Sequence, residues 1–273
     1  MTAHGVDQAK ELGAHLLTVN PPVERVYSSP YYRCLQTVDP FIQEIASAKP
    51  AETASGVYRI RGETGLSEWY GSAPFEHPTS AGPERLKELF PAFDGDYAPK
   101  VVPSRMGESI DQLHDRVATT LDAIIRQCDR EGVRAVLLCT HAAVVIALGR
   151  VLTGNMPDNV ETEDFRAFTC GLTVYQRRSP GGEFLGQKEC KKVAMGVSPA
   201  HAVETQTATV HRRDAGNWSS PSFGKPADRI SANGDLTSGQ SVSWRHGQGV
   251  GGGWNCAVNS DCSFLRGGEE RGW

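Results

Sequence analysis

His141 stands where a short apolar run, Ala135–Cys139, gives way to the helix-forming stretch Ala142–Leu152. The run reads as a strand buried on both faces, and apolar residues recur at helical spacing in the stretch behind it. A histidine in that turn sits at the carboxyl end of a strand and the amino end of a helix. Unpaired backbone N–H groups and partial positive charge favour an anion there. A second turn of the same kind lies upstream, where the short strand in Glu24–Ser29 runs into Pro30 and Arg33 falls in the first turn of the next helix. Singly, each residue has a structural explanation: a turn histidine can be hydrogen-bonded and inert, a serine at a helix start is a cap, an early arginine is a solvated side chain. Together, an imidazole, a guanidinium fork and two helix starts describe a phosphate pocket whose chemistry is charge stabilisation.

The elements needed to hold these residues alternate along the chain. Helical spacing predicts helices over Val6–Leu17, Tyr32–Ser47 (with an irregularity at Pro40), Gly82–Pro91 and Glu108–Gly132, the last ending at a glycine stop. Strands are predicted in Val57–Glu63 and Cys170–Arg178, with one more in Glu183–Val197. Such alternation argues for a largely parallel sheet covered by helices on both faces. From Ser198 to Gly253 the chain is rich in Ser, Gly and Thr with weak periodicity, ending in "GQGVGGG"; aromatic residues return in Trp254–Trp273.

With 273 residues, a formal net charge of -4 and a pI near 6.1, the chain is long enough for a sizeable core. Its overall charge gives no sign of a nucleic-acid or membrane surface. No apolar run approaches the length of a membrane span, and no signal-peptide pattern opens the sequence. The expectation is therefore an intracellular protein, cytoplasmic or nuclear. Seven cysteines without a C-x-x-C pair fit reduced thiols better than a disulfide framework or a zinc site.

The segments "SSPYYRCLQT", "GLSEWYG" and "LCTHAA", in that order, resemble the histidine phosphatase (phosphoglycerate mutase-like) superfamily. "TAHGVDQAKELGAHL" and "GESIDQLHDRV" are similar to two of its helices. The match is nearest the branch of the suppressor of T-cell receptor signalling phosphatases, and is also like the phosphatase-like subunit of fungal transcription factor IIIC. The resemblance covers residues 1 to about 178. It implies an α/β fold, a three-layer sandwich with a mostly parallel sheet, and phosphomonoester hydrolysis through a phosphohistidine without a metal or organic cofactor. By the same resemblance Arg33 and His141 bind phosphate, and Glu68 donates a proton to the leaving oxygen. That role suits a carboxyl whose pKa is raised by burial or by the dianionic phosphate. Without it, Glu68 is a surface carboxylate beside Trp69.

The family's nucleophile lies in an R-H-G motif on a first strand in the middle of the sheet, and Met1 falls after that position. The sequence thus predicts residues 1–197 as a phosphatase-like domain incomplete at its N-terminus; the missing strand would leave exposed edges at a gap unless the tail fills it. It further predicts 198–253 as a disordered polar linker and 254–273 as a C-terminal docking hairpin. Arg245–Gly247 reads "RHG", but in glycine-rich surroundings unlike a strand-to-helix turn; His246 is not taken as catalytic, nor are His4 and His15. Without an upstream nucleophile segment the chain is expected to be inactive; with one it would be a phosphomonoesterase. Its ligand would be a phosphorylated small molecule or phosphoprotein. The alternative is a noncatalytic interaction subunit, with a protein partner on the C-terminal tail and no direct contact with nucleic acid or membrane.

Overall fold

Strand β3 (Ala135–Thr140) is buried along its whole length, and its side chains alternate between two cores: Leu137 and Cys139 enter one, Val136 and Leu138 the other. A strand sealed on both faces needs helices above and below it. Helices α1 (Ala3–Leu16) and α2 (Tyr32–Ala48) supply one layer through Leu12, Leu16, Leu35 and Phe41. The short α3 (Pro83–Leu89) adds Leu86 to the same core. On the other face α4 (Ile110–Arg130) and α5 (Ala142–Thr153) contribute Val117, Leu121, Val144 and Leu148. The computed structural model describes residues 1–51, 58–179, 192–197 and 242–271.

Among the described residues, six strands form the sheet. With β1 (Arg25–Ser28), β2 (Ile60–Gly62), β4 (Leu172–Arg177), β5 (Lys192–Val197) and β6 (Trp254–Asp261), the order is β2-β1-β3-β5-β4-β6. The first four in this order run parallel, whereas β4 is antiparallel to both β5 and β6. The expected α/β sandwich with a mostly parallel sheet is thus present. Pro40 does not break α2, and α1 comes close beside it: a Cβ on Gly13 would lie 2.9 Å from the backbone nitrogen of Phe41. Helix α4 opens with a capping box between Ser109 and Gln112 and is followed by Gly132 at φ +70°.

One open alternative is decided and two expectations need correction. Among the described residues the sheet has no gap, because β5, from the part of the chain beyond residue 178, pairs with β3 on one side and β4 on the other. The stretch expected as linker joins the domain from residue 242 onward: Trp244 is buried and stacks on His114 at 5.8 Å, and Val250 is fully buried. In place of a docking hairpin, the C-terminal segment contributes one strand, β6, to the edge of the main sheet. The remainder of the expected linker, 198–241, lies outside the described residues. Among the described residues no helix is long and apolar enough to cross a membrane.

Candidate functional site

Strands β1 and β3 are parallel neighbours, with Ser28 level with Cys139, so their carboxyl ends finish side by side. The Ser29 N–H donates to the Cys139 carbonyl at 2.8 Å and extends that register by one residue. Each strand then turns into a helix. Tyr31 is the N-cap of α2 and Arg33 its second residue, while His141 is the N-cap of α5, its side chain making no cap hydrogen bond. The fold therefore brings two helix amino ends to one place, as the sequence pattern implied.

Glu68 reaches the same place from a turn after β2. Its Oε2 accepts from Arg33 Nη2 at 2.8 Å and lies 3.1 Å from His141 Nδ1; Arg33 Nη2 and His141 Nδ1 are themselves 2.8 Å apart. All three residues singled out from the sequence thus meet in one cluster, two cationic groups crowded around a single carboxylate oxygen. His141 is 2% exposed, whereas the Arg33 and Glu68 side chains keep about a quarter of their surface in solvent, which sets the open side of the pocket. Tyr31 walls one flank: its ring meets His141 edge-on at 5.5 Å, lies 5.2 Å from the Arg33 guanidinium, and its hydroxyl donates to the Pro78 carbonyl. Beside the cluster is a cavity of about 150 Å³ lined by Tyr31, Glu68, Tyr70, His77, Val102 and Pro103.

The residues that aim Glu68 were not singled out from the sequence. Arg116 on α4 donates from Nε to both carboxylate oxygens of Glu108, at 2.8 and 2.9 Å, and from Nη1 to the carbonyls of Gly65 and Ser67. Trp69 Nε1 donates to the Glu108 carbonyl, and Thr140 Oγ1 donates to the Leu66 carbonyl at 2.6 Å. Glu63, fully buried, accepts from the Gly65 N–H at the start of the same turn and from the Tyr97 hydroxyl. A Cβ on Gly65 would strike the Thr120 side chain, so the turn packs directly on α4. The available signal was the similarity of "GESIDQLHDRV" to a family helix, since Glu108 and Arg116 are the charged residues of that segment that are buried.

Burial opposes charge on His141, but the Cys34 sulfur and the Glu68 carboxylate outweigh it and hold the imidazole up to about 9. Burial likewise pushes the Glu68 carboxyl up, yet its hydrogen bond to His141, the His141 charge, the Trp69 N–H and Arg33 together hold it below its ordinary value. The raised carboxyl expected of a proton donor is therefore not a property of the site by itself. A dianion on Arg33 and His141 would supply it, by taking up their charge and adding its own beside Glu68. Sulfate binding at about pH 5 to 6 is accordingly expected to take up a proton, seen by calorimetry in buffers of different ionisation heat; Glu68→Gln abolishes that uptake.

A family model, the histidine phosphatase superfamily (branch 1), matches residues 1–188. The chain belongs to the histidine phosphatase superfamily. It is 34% identical over 186 residues to the transcription factor tau 55 kDa subunit of Saccharomyces cerevisiae, covering 64% of this chain and 40% of that protein. It is 30% identical over 218 residues to the ecdysteroid-phosphate phosphatase of Drosophila melanogaster, covering 77% and 27% respectively. The chain thus spans two fifths or less of the length of these relatives. Among solved structures, it is similar to the tungstate complex of the ecdysone phosphate phosphatase from Bombix mori, at 19% identity and a TM-score of 0.48, covering 78% of this chain and 74% of that one.

The "RHG" at Arg245–Gly247 does not join the cluster of Arg33, Glu68 and His141. His246 is exposed at φ +58°, and the Gly247 N–H donates to the Gly154 carbonyl beyond the far end of α5. Helix α5 is about 18 Å long by its rise per residue, so His246 is remote from His141. His4 pairs with Glu270 at 2.9 Å, and His15 stacks on Phe264 at 4.2 Å. Among the described residues no cluster of three or more His, Cys, Asp or Glu is arranged to hold a metal ion.

Proposed function

We propose that this pocket binds the phosphoryl group of a phosphomonoester, carried by a small molecule or a phosphoprotein. Arg33 and His141 contact the phosphate oxygens, and Glu68 gives a proton to the departing oxygen. The observation that carries this reading is the convergence of the three side chains within 3.1 Å at two helix amino ends. Phosphoryl transfer depends chiefly on positioning and on stabilising charge spread over the equatorial oxygens, which a guanidinium fork and a charged imidazole supply. The cavity beside Glu68 takes the rest of the substrate. The nucleophile is assigned to none of the three. Turnover of an aryl phosphate by a form that carries an upstream nucleophile segment tests the reading: His141→Ala in that form should lower it by about 100-fold or more, as for other lost oxyanion contacts, and unchanged turnover removes the site.

The similarity to the tau 55 kDa subunit favours a second reading, a noncatalytic subunit of a transcription factor IIIC-type assembly that keeps the phosphate pocket. A nuclear location goes with it, whereas cytoplasm and nucleus both fit the first. It requires sulfate binding without aryl phosphate turnover, together with co-purification with a tau-type factor. Residues 198–241 are the segment to delete in searching for the contact, because 242–271 contribute strand β6 and buried side chains to the domain.

A further inference from the structure

The inward side of His141 is built as specifically as its pocket side. Nδ1 faces Arg33 and Glu68; Nε2 faces the interior, with Ser29 Oγ at 2.7 Å and Cys34 Sγ at 3.5 Å. Both partners are fully buried, and the Ser29 backbone is pinned to β3 through the Cys139 carbonyl. The row Ser29–His141–Glu68 has the connectivity that activates a serine nucleophile in other sites. Exposure runs the wrong way for that: Ser29 closes the inner end of the row and Glu68 stands at the open end, so Ser29 has no path to a substrate. It acts through His141.

We propose that Ser29 is a positioning residue for His141: its hydroxyl accepts from Nε2–H, which keeps the ring doubly protonated and directs Nδ1–H at the phosphoryl site. The proposal rests on the phosphate-binding reading of the pocket. Arg33 and Cys34 face the ring from the start of α2, as does the ring of Tyr31; Glu68 faces it from the turn after β2; and Cys139 on β3 reaches it through Cys34, to whose carbonyl its thiol donates. Burial works against the imidazolium, as does Arg33, whose Nη2 lies 2.8 Å from Nδ1 and, with that nitrogen protonated, must direct its N–H to Glu68 instead, so a neutral acceptor on the buried nitrogen matters. Without Ser29 Oγ, Nε2–H keeps the more distant Cys34 sulfur, at 3.5 Å, and the buried charged ring loses its short hydrogen bond on that side.

The full chain, labelled with nitrogen-15 in histidine, gives the test. Ring nitrogen signals of His141 are followed against pH for wild type, Ser29→Ala and Ser29→Thr, and sulfate affinity is measured in parallel. Sulfate keeps its charge over this range. The wild-type ring should hold its charge to about pH 9. In Ser29→Ala the charge should be lost about one pH unit lower, with sulfate binding about fivefold weaker at the wild-type midpoint, approaching about tenfold above it, and close to wild type in acid; Ser29→Thr restores both. An unmoved titration in Ser29→Ala overturns the proposal, as does an equal loss of sulfate affinity at every pH, which marks a merely structural role. If wild type binds no sulfate while the ring titration still moves, the phosphate reading falls and the hold of Ser29 on His141 stands. Should Ser29→Ala not fold, Ser29→Cys, with its weaker acceptor, carries the same comparison.

Discussion

Replacing Arg33 with alanine is expected to weaken sulfate or inorganic phosphate binding by about 100-fold. The guanidinium supplies the fork on the open side of the pocket, and each charge-assisted hydrogen bond it makes is worth roughly 1.5 to 3 kcal/mol. Losing two of them costs about 3 kcal/mol or more, which is two decades of affinity. The change also leaves Glu68 with His141 as its remaining cationic partner in the cluster, so the carboxylate then competes more strongly with an incoming anion. Arg33→Lys should recover only part of the loss, because it restores the charge without the planar two-point geometry. Calorimetric titration at fixed ionic strength reads both variants. An Arg33→Ala protein that binds sulfate like wild type would place the anion elsewhere.

The three central residues were legible because each follows an element visible in sequence. His141 ends an apolar run, Arg33 follows a Ser-Ser-Pro turn, and Glu68 lies in a motif similar to the family's. What brings Arg33 and His141 together is the pairing of β1 with β3, strands separated in sequence by β2 and by more than 100 residues of chain. A crossover of that length is set by packing, and no local pattern names the neighbour. The shell behind the site was hidden for the same reason. Ser29 is 112 residues from His141 and Arg116 is 51 from Gly65, and a serine or a helical arginine does not announce a distant partner.

Element types were read well where periodicity is strong, as in α4 and β3, and poorly where glycine dominates. Residues 242–253 contain neither a period of two nor one of 3.6. Their order comes from two buried anchors, Trp244 and Val250, and from glycines with positive φ at 247, 249 and 251–253, conformations that a hydropathy pattern does not record. The filling of the sheet by β5 was legible only as one of several outcomes. The strand itself was expected, but its place between β3 and β4 depends on which edges are free, a property of the folded sheet.

Arg116→Met should lower the midpoint of thermal unfolding by about 10 °C and weaken sulfate binding as well. The Arg116 side chain is 3% exposed and its partner carboxylate 11%, so removing the cation strands a charge with little access to water. Breaking such a pair costs about 3 to 5 kcal/mol. Arg116 Nη2 has no hydrogen-bond partner among the described residues, so the native state already carries part of the desolvation cost, and the expected loss lies near the lower end, about 3 kcal/mol. For a domain of this size that corresponds to about 6 to 12 °C. The effect on binding has a separate cause: with the bonds to the Gly65 and Ser67 carbonyls gone, the turn that aims Glu68 loses its hold on α4. Glu108→Gln should cost less than Arg116→Met, since the amide oxygen can still accept from Arg116 and the guanidinium keeps its bonds to the Gly65 and Ser67 carbonyls, and the double variant should cost less than the sum of the two. Additive losses would mean that Arg116 and Glu108 act independently, and a midpoint within about 2 °C of wild type for Arg116→Met would mean that the turn is held by the Thr140 and Glu63 contacts alone.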